Sequence, residues 1–197
     1  MNLIGRIGEN FKESAQTKLD ASELLAAPIA RAVEMMVGSL LDNGKILICG
    51  NGGSAADAQH MAAELVGRFE AERHELAAIA LTTDTSILSA VANDYGFKMI
   101  FAKQVRALGQ PGDVLVAIST SGNSPNVLEA ISAAHENQMP VIALTGKGGG
   151  AIGEMLYESD IHICVPASRT ARIQETHLLT IHCLCDGIDC LLLGVEE

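Results

Sequence analysis

Apolar residues recur at helical spacing near residues 3 to 18 and again from 21 to 42, where Ile29, Val33, Met36 and Leu40 share one face. This pattern predicts two N-terminal helices, the second ended by Asn43-Gly44. Short, continuous apolar runs follow at Lys45 to Cys49, Ala77 to Leu81, Val114 to Ile118, Val141 to Leu144 and Ile161 to Val165. Their length and β-branched content predict strands buried on both faces. Helical patterns separate them, over residues 54 to 68, 85 to 93, 97 to 108, 125 to 137, 150 to 157 and 170 to 193. Such alternation implies an α/β fold, a three-layer α-β-α sandwich around a five-stranded parallel sheet, preceded by two helices.

The last helical stretch is apolar nearly all round, through Leu178, Leu179, Ile181, Leu184, Ile188, Leu191 and Leu192. A helix on the surface of a monomer cannot satisfy such a pattern, so it predicts oligomerisation. Gly187 inside it costs about 1 kcal/mol against Ala, which close helix packing would justify. The chain has 197 residues, enough for one domain with a sizeable core, and neither a linker nor a low-complexity tract divides it. The expected organisation is a single domain over 1–197, with 1–42 serving oligomerisation and 43–197 forming the α/β core.

Charge narrows the function classes. Lys and Arg number 13 against 24 Asp and Glu, a formal balance of −11, which disfavours a nucleic-acid surface because phosphate contacts need clustered cations. Aromatics are 3% of the chain and Trp is absent, so base stacking is no basis for recognition either. The first twenty residues mix charges and lack a signal-peptide apolar centre, and the greasiest stretch is broken by His182, Asp186 and Asp189. A soluble cytoplasmic protein without a membrane role is the expectation. The five cysteines form no C-x-x-C pair and read as reduced, mostly buried thiols.

Two strand-loop-helix units stand out. In KILICG-NGGS-AADAQHMAAELVGRF, Ser54 is the expected cap, with Asp57 three residues on; in DVLVAIS-TSGNSP-NVLEAISAAH, Ser124 is the expected cap and Pro125 the first helical residue. In an open parallel sheet such turns lie at the carboxyl ends of the strands, where helix N-termini offer N–H groups to anions. Gly50 to Ala55 formally fits G-x-G-x-x-A, but the acid a dinucleotide site wants about 20 residues on is missing, Asp84 standing 34 residues from Gly50. Neither loop contains the Gly-Lys-Ser/Thr of a Walker loop. A cradle of Ser119, Thr120, Ser121, Asn123 and Ser124 without a fixed cation suits a small phosphate monoester.

The helix after the first loop carries Asp57, His60 and Glu64 as one polar line among Ala56, Met61, Ala63 and Leu65. Imidazole with carboxylate is both a metal-ligand pair and an acid–base pair near neutral pH. A second line on the last helix runs through Gln174, Leu178 and His182.

Taken together, GNGGSAADAQHMAAEL, ALTTDTS, ANDYG, RALGQPGDVLVAISTSGNSPNV and RIQETHLLTIH resemble, along essentially the whole chain, the bacterial phosphoheptose isomerases of the sugar-isomerase (SIS) domain family. The resemblance implies a cytoplasmic homotetramer that converts sedoheptulose 7-phosphate to D-glycero-D-manno-heptose 7-phosphate. It implies that Asn51, Gly52, Gly53, Asn93, Asp94, Ser119, Thr120, Ser121, Ser124, Gln174 and Glu64 contact the sugar phosphate. It further implies one zinc ion per subunit on His60, Glu64, Gln174 and His182, with Glu64 and His182 as the catalytic acid–base pair. Gln174 and His182 stand about 12 Å apart along a regular helix at ~1.5 Å per residue. Either they serve ions in different subunits or the helix begins irregularly.

A related branch of the family is a non-catalytic tetramer that binds the replication initiator DnaA, and Ser168-Arg169-Thr170-Ala171-Arg172 and Cys183-Leu184-Cys185-Asp186 are similar to that branch too. Arg169 and Arg172 are placed by this reading near the substrate. Glu64 and His182 separate the alternatives, because the adaptor lacks acid–base side chains there. A sugar-phosphate sensor without turnover is a third alternative.

Overall fold

The computed structural model describes residues 2–194. Its elements run α1 (Leu3–Leu41), β1 (Ile46–Gly50), α2 (Gly53–Val66), β2 (Ala78–Ala80), α3 (Thr85–Tyr95), α4 (Ala102–Leu108), β3 (Val114–Ser119), α5 (Pro125–Glu136), β4 (Val141–Thr145), α6 (Gly150–Met155), β5 (Ile161–Cys164) and α7 (Thr170–Leu193). The five strands form one parallel sheet in the order β2-β1-β3-β4-β5, with Ile48 paired to Ala80 on one side and to Val116 on the other. All positions of β1, β3 and β4 are buried, as strands covered on both faces must be.

Two cores flank the sheet. Alternate residues of β1 and β3 (Ile46, Ile48, Val114, Val116) meet Met36 of α1, Met61 and Leu65 of α2 and Ile181 and Leu184 of α7. Their neighbours Leu47, Cys49, Leu115 and Ala117 face Phe101, Val105, Val127 and Ile131 on the other side. Period-two side-chain alternation thus splits each strand between two helical layers.

The sequence pattern departs from the structure mainly at the N-terminus. The two expected helices, 3 to 18 and 21 to 42, are one helix of 39 residues. No Gly or Pro stands at residues 19 to 22 to break the chain, and Pro28 is accommodated inside the helix. The second half of α1 belongs to the core through Ala21, Leu25, Ala32, Val33, Met36 and Val37, whereas Leu3, Ile4, Ile7 and Phe11 are exposed. The stretch expected as a helix over 97 to 108 is a 3₁₀ turn (Phe97–Met99) followed by α4. Ile100 and Phe101, adjacent in sequence, both drop into the core between them.

Helices α1 and α7 contain windows of mean hydropathy 1.6 and 1.3, long and apolar enough by composition to cross a bilayer. They instead pack against each other, and Val33 of α1 approaches Gly187 so closely that a Cβ there would stand 2.7 Å from Val33 Cγ2. Close helix packing is therefore what Gly187 permits. Beside this contact, α1 and α7 leave an apolar groove of about 530 Å³ lined by Ala26, Ile29, Ala30, Leu179, Cys183 and Leu191 among others. Cys183 is exposed beside it, Cys164 and Cys190 are half-buried, and Cys49 and Cys185 are buried, their thiols pushed up to about 12, chiefly by desolvation.

Candidate functional site

The strand order reverses between β1 and β3, which sends the chain to opposite edges of the sheet and opens a crevice outside their carboxyl ends. Asn51 and Gly52 follow β1 at that crevice, and Thr120 to Ser124 follow β3 beside them. Gly52 takes φ +57, a left-handed conformation that suits glycine, and lets α2 start at Gly53. Ser54 is therefore inside the helix and buried, and it is not the cap expected from the sequence. Ser124 is the N-cap residue of α5 and Pro125 its first helical residue. Its hydroxyl does not cap, because it pairs with Ser119 Oγ at 2.8 Å. Neither α2 nor α5 has a side chain on its first N–H groups, which is how an anion-receiving helix end is left.

The two loops are tied to each other. Asn51 Nδ2 donates to Asn126 Oδ1 and Asn126 Nδ2 donates to Asn51 Oδ1, both at 2.8 Å. Asn126 is buried at the start of α5, so this closed amide pair fixes the first loop onto the second helix. The Asn51 side chain is thereby committed to Asn126, a partner that the sequence pattern did not single out. Ser121 Oγ accepts from Asn123 N, and the Asn123 amide reaches Ser121 O and Ala151 N.

Two turns into α2, His60 Nε2 and Glu64 Oε1 are 2.9 Å apart. The His182 ring of α7 meets the His60 ring edge-on at 5.1 Å between centroids and lies 5.7 Å from Phe69. Asp57, one turn nearer the loop, keeps Oδ2 buried without a partner. Burial raises its carboxyl above the usual range, and the nearby His60 works in the opposite direction.

Gln174 lies about two turns before His182 on α7. A Cβ on Gly53 would stand 2.3 Å from Gln174 Nε2, so the glycine is what lets the α7 amide sit against the start of α2. Since α7 is one regular helix from Thr170 to Leu193, an irregular start does not bring Gln174 to His182. Two imidazoles, a carboxylate and an amide are donor types zinc accepts, and His60, Glu64 and His182 are neighbours. Among the described residues, no three His, Cys, Asp or Glu side chains of one chain converge on a common ion position.

Asn93 and Asp94 stand apart. They hydrogen-bond each other at 2.8 Å near the end of α3, a helix without a buried residue, and among the described residues their side chains make no hydrogen bond to either loop. Arg169 and Arg172 are engaged on α1 and, for Arg172, on α7 as well, and not directed at the crevice: Arg169 donates to Asn10 Oδ1 and Glu13, and Arg172 to Asn10 O, Glu13 and Glu175. Periodicity cannot reveal this, because the partners on α1 lie some 160 residues away.

A parallel sheet of this order, with hydroxyl-rich loops at its reversal point, defines the class: residues 10–146 match the SIS domain, and the chain belongs to that family. Within it, the chain is 75% identical to the phosphoheptose isomerase of Azoarcus sp. (strain BH72), with both chains covered completely. Among solved structures it is similar to the phosphoheptose isomerase from Neisseria gonorrhoeae (58% identity, TM-score 0.92, 95% of this chain and 99% of that one covered). It is also similar to the enzyme from Francisella tularensis (48% identity, TM-score 0.94, 96% and 99% covered).

Proposed function

We infer that this chain is an aldose–ketose isomerase that converts sedoheptulose 7-phosphate to D-glycero-D-manno-heptose 7-phosphate, the first step towards the ADP-heptose of lipopolysaccharide core. The observation that carries this reading is the grouping of His60, Glu64 and His182 on two packed helices whose other ends adjoin the loop crevice. Kinship with phosphoheptose isomerases over the full chain supports it.

In this reading, N–H groups at the starts of α2 and α5 and the hydroxyls of Ser119, Thr120, Ser121 and Ser124 receive the phosphate. The balance of −11 is no obstacle, since exposed charges beyond about 10 Å are screened at ordinary ionic strength. Glu64 takes a proton from C1 of the ketose and returns it to C2, while His182 gives a proton to O2 and accepts that of O1. The atoms balance: one C–H bond breaks at C1, one forms at C2, and the carbonyl moves from C2 to C1. Zinc, when held by His60, Glu64, Gln174 and His182, would supply positive charge against the enediolate oxygens.

The spacing of Gln174 and His182 supports sharing of that set between copies, and the apolar groove with the exposed Leu3, Ile4, Ile7 and Phe11 supports a homotetramer. The assembly would also bring Asn93 and Asp94 to a neighbour's crevice. A cytoplasmic enzyme follows from the same reading. The DnaA-binding and sensor alternatives are not favoured, because both acid–base positions are filled here and the curated relatives are enzymes.

The test is to incubate the protein with sedoheptulose 7-phosphate and follow the aldose signals by NMR, with and without a chelator. Turnover that is lost with chelator and returns with zinc is expected; no turnover even with added zinc would overturn the assignment.

A further inference from the structure

Arg73 follows α2 in the loop leading to β2, yet its side chain is only 3% exposed. Its guanidinium makes four hydrogen bonds. Nε donates to Asp189 Oδ1 at 2.6 Å, one terminal nitrogen to Leu65 O at 2.9 Å and His74 O at 3.1 Å, and the other to Glu64 O at 2.7 Å. Glu64 and Leu65 lie in the last turn of α2, where backbone carbonyls have run out of helical partners. Asp189 belongs to α7, two turns beyond His182, and is itself buried with Oδ2 unpartnered. One side chain therefore joins the backbone of Glu64 to the helix that carries His182.

A buried ion pair is weak as a source of stability, because desolvation offsets its attraction and a well-packed apolar pair often serves as well. What the guanidinium adds is direction, a planar fork that fixes several acceptors at once. The carbonyl it grips belongs to Glu64 itself. A slip between the two helices at this end would change the separation of the Glu64 carboxylate from the His182 imidazole.

We propose that Arg73 is a positioning residue for the reaction, holding the end of α2 in register with α7 so that Glu64 and His182 keep a fixed separation. The proposal rests on the reading of those two residues as the acid–base pair. Asp189 is its anchor, and nothing in the proposal requires Arg73 to touch substrate.

R73K keeps a cation opposite Asp189 but loses the fork. With its melting curve showing a folded protein at the assay temperature, kcat is expected to fall about ten- to a hundredfold. KM for sedoheptulose 7-phosphate is expected to move by less than about twofold. The zinc affinity of the metal-stripped protein, measured by competition with a chromogenic chelator, is expected to weaken about tenfold. Should R73K not fold, R73M/D189L replaces the pair by apolar side chains, an exchange buried pairs tolerate, and carries the same measurements with the same expected result. A folded variant whose kcat and zinc affinity match the parent, or whose KM alone rises, overturns the proposal. E64Q run alongside separates the two levels: an active E64Q removes the acid–base reading itself, whereas an inactive E64Q with an unaffected R73K removes only the role of Arg73.

Discussion

The two ends of α2 are built from different materials. At its start, the chain uses backbone N–H groups, a left-handed glycine, hydroxyls and the Asn51–Asn126 amide pair, with no side-chain cap and no acidic residue in the first turn. Two turns on, it places imidazoles and carboxylates together, and near its far end clamps the helix with a buried guanidinium. The first end suits an ion that arrives already charged, because fixed dipoles receive it without a counter-charge of their own to desolvate. The second suits groups that must exchange protons.

The largest expected effect tests that division at its reactive end. E64Q keeps size and shape but removes the base, so kcat should fall about 10²–10⁴-fold with KM nearly unchanged. Steady-state kinetics check this; an equal rise in KM would mean that Glu64 binds substrate as much as it reacts with it.

The next prediction asks whether either end is complete within one chain. Ala26 is exposed on the rim of the α1–α7 groove, so A26E should leave the fold of a single copy intact. Burying an unpaired carboxylate in an interface is costly, and if the groove is the interface of the proposed tetramer, A26E is expected to dissociate it by several kcal/mol. Sedimentation would read the oligomeric state. Loss of activity in step with dissociation would support a site shared between copies, and an active monomer would end that idea.

A smaller effect is expected at the loop end. Asn126 is buried, so N126A leaves the Asn51 amide without its partner, at a cost of about 1–3 kcal/mol. If the pair orders the phosphate loop, part of that cost should appear as a raised KM with kcat changed less, the reverse of the pattern expected for E64Q.

What could be read from the letters follows the same division. Strand–loop–helix alternation, the two loops and the polar line of α2 are local patterns, and their positions follow from periods of two and 3.6 residues. The join of the N-terminal helices was not legible, because the residues at 19 to 22 neither break nor demand a helix. Neither was the role of Ser54, since a glycine at positive φ took the cap position two residues earlier than a hydroxyl-based rule expects. The clamps were hidden for a simpler reason: Arg73 to Asp189 and Asn51 to Asn126 bridge 116 and 75 residues, and periodicity carries no information at that range.

The smallest effect concerns a histidine that serves neither end. His177 is fully buried on α7, its Nε2 bonded to Thr145 O and its Nδ1 without a partner, and desolvation pulls it down to about 4 despite that bond. Its folded value lies below its unfolded one, so below the ordinary histidine range the unfolded chain binds the extra proton and the native state does not. The stability linked to His177 is therefore fully present above about pH 6.5 and is lost as pH falls towards 4. Between pH 7 and pH 5 this should amount to about 1–2 kcal/mol, since one pKa unit corresponds to roughly 1.4 kcal/mol. Urea unfolding of the parent and of H177Q at both pH values isolates the contribution: the parent should lose more stability on acidification than the variant. Equal losses would show that acid sensitivity arises elsewhere, with the paired carboxylates of the ion pairs as the next groups to examine.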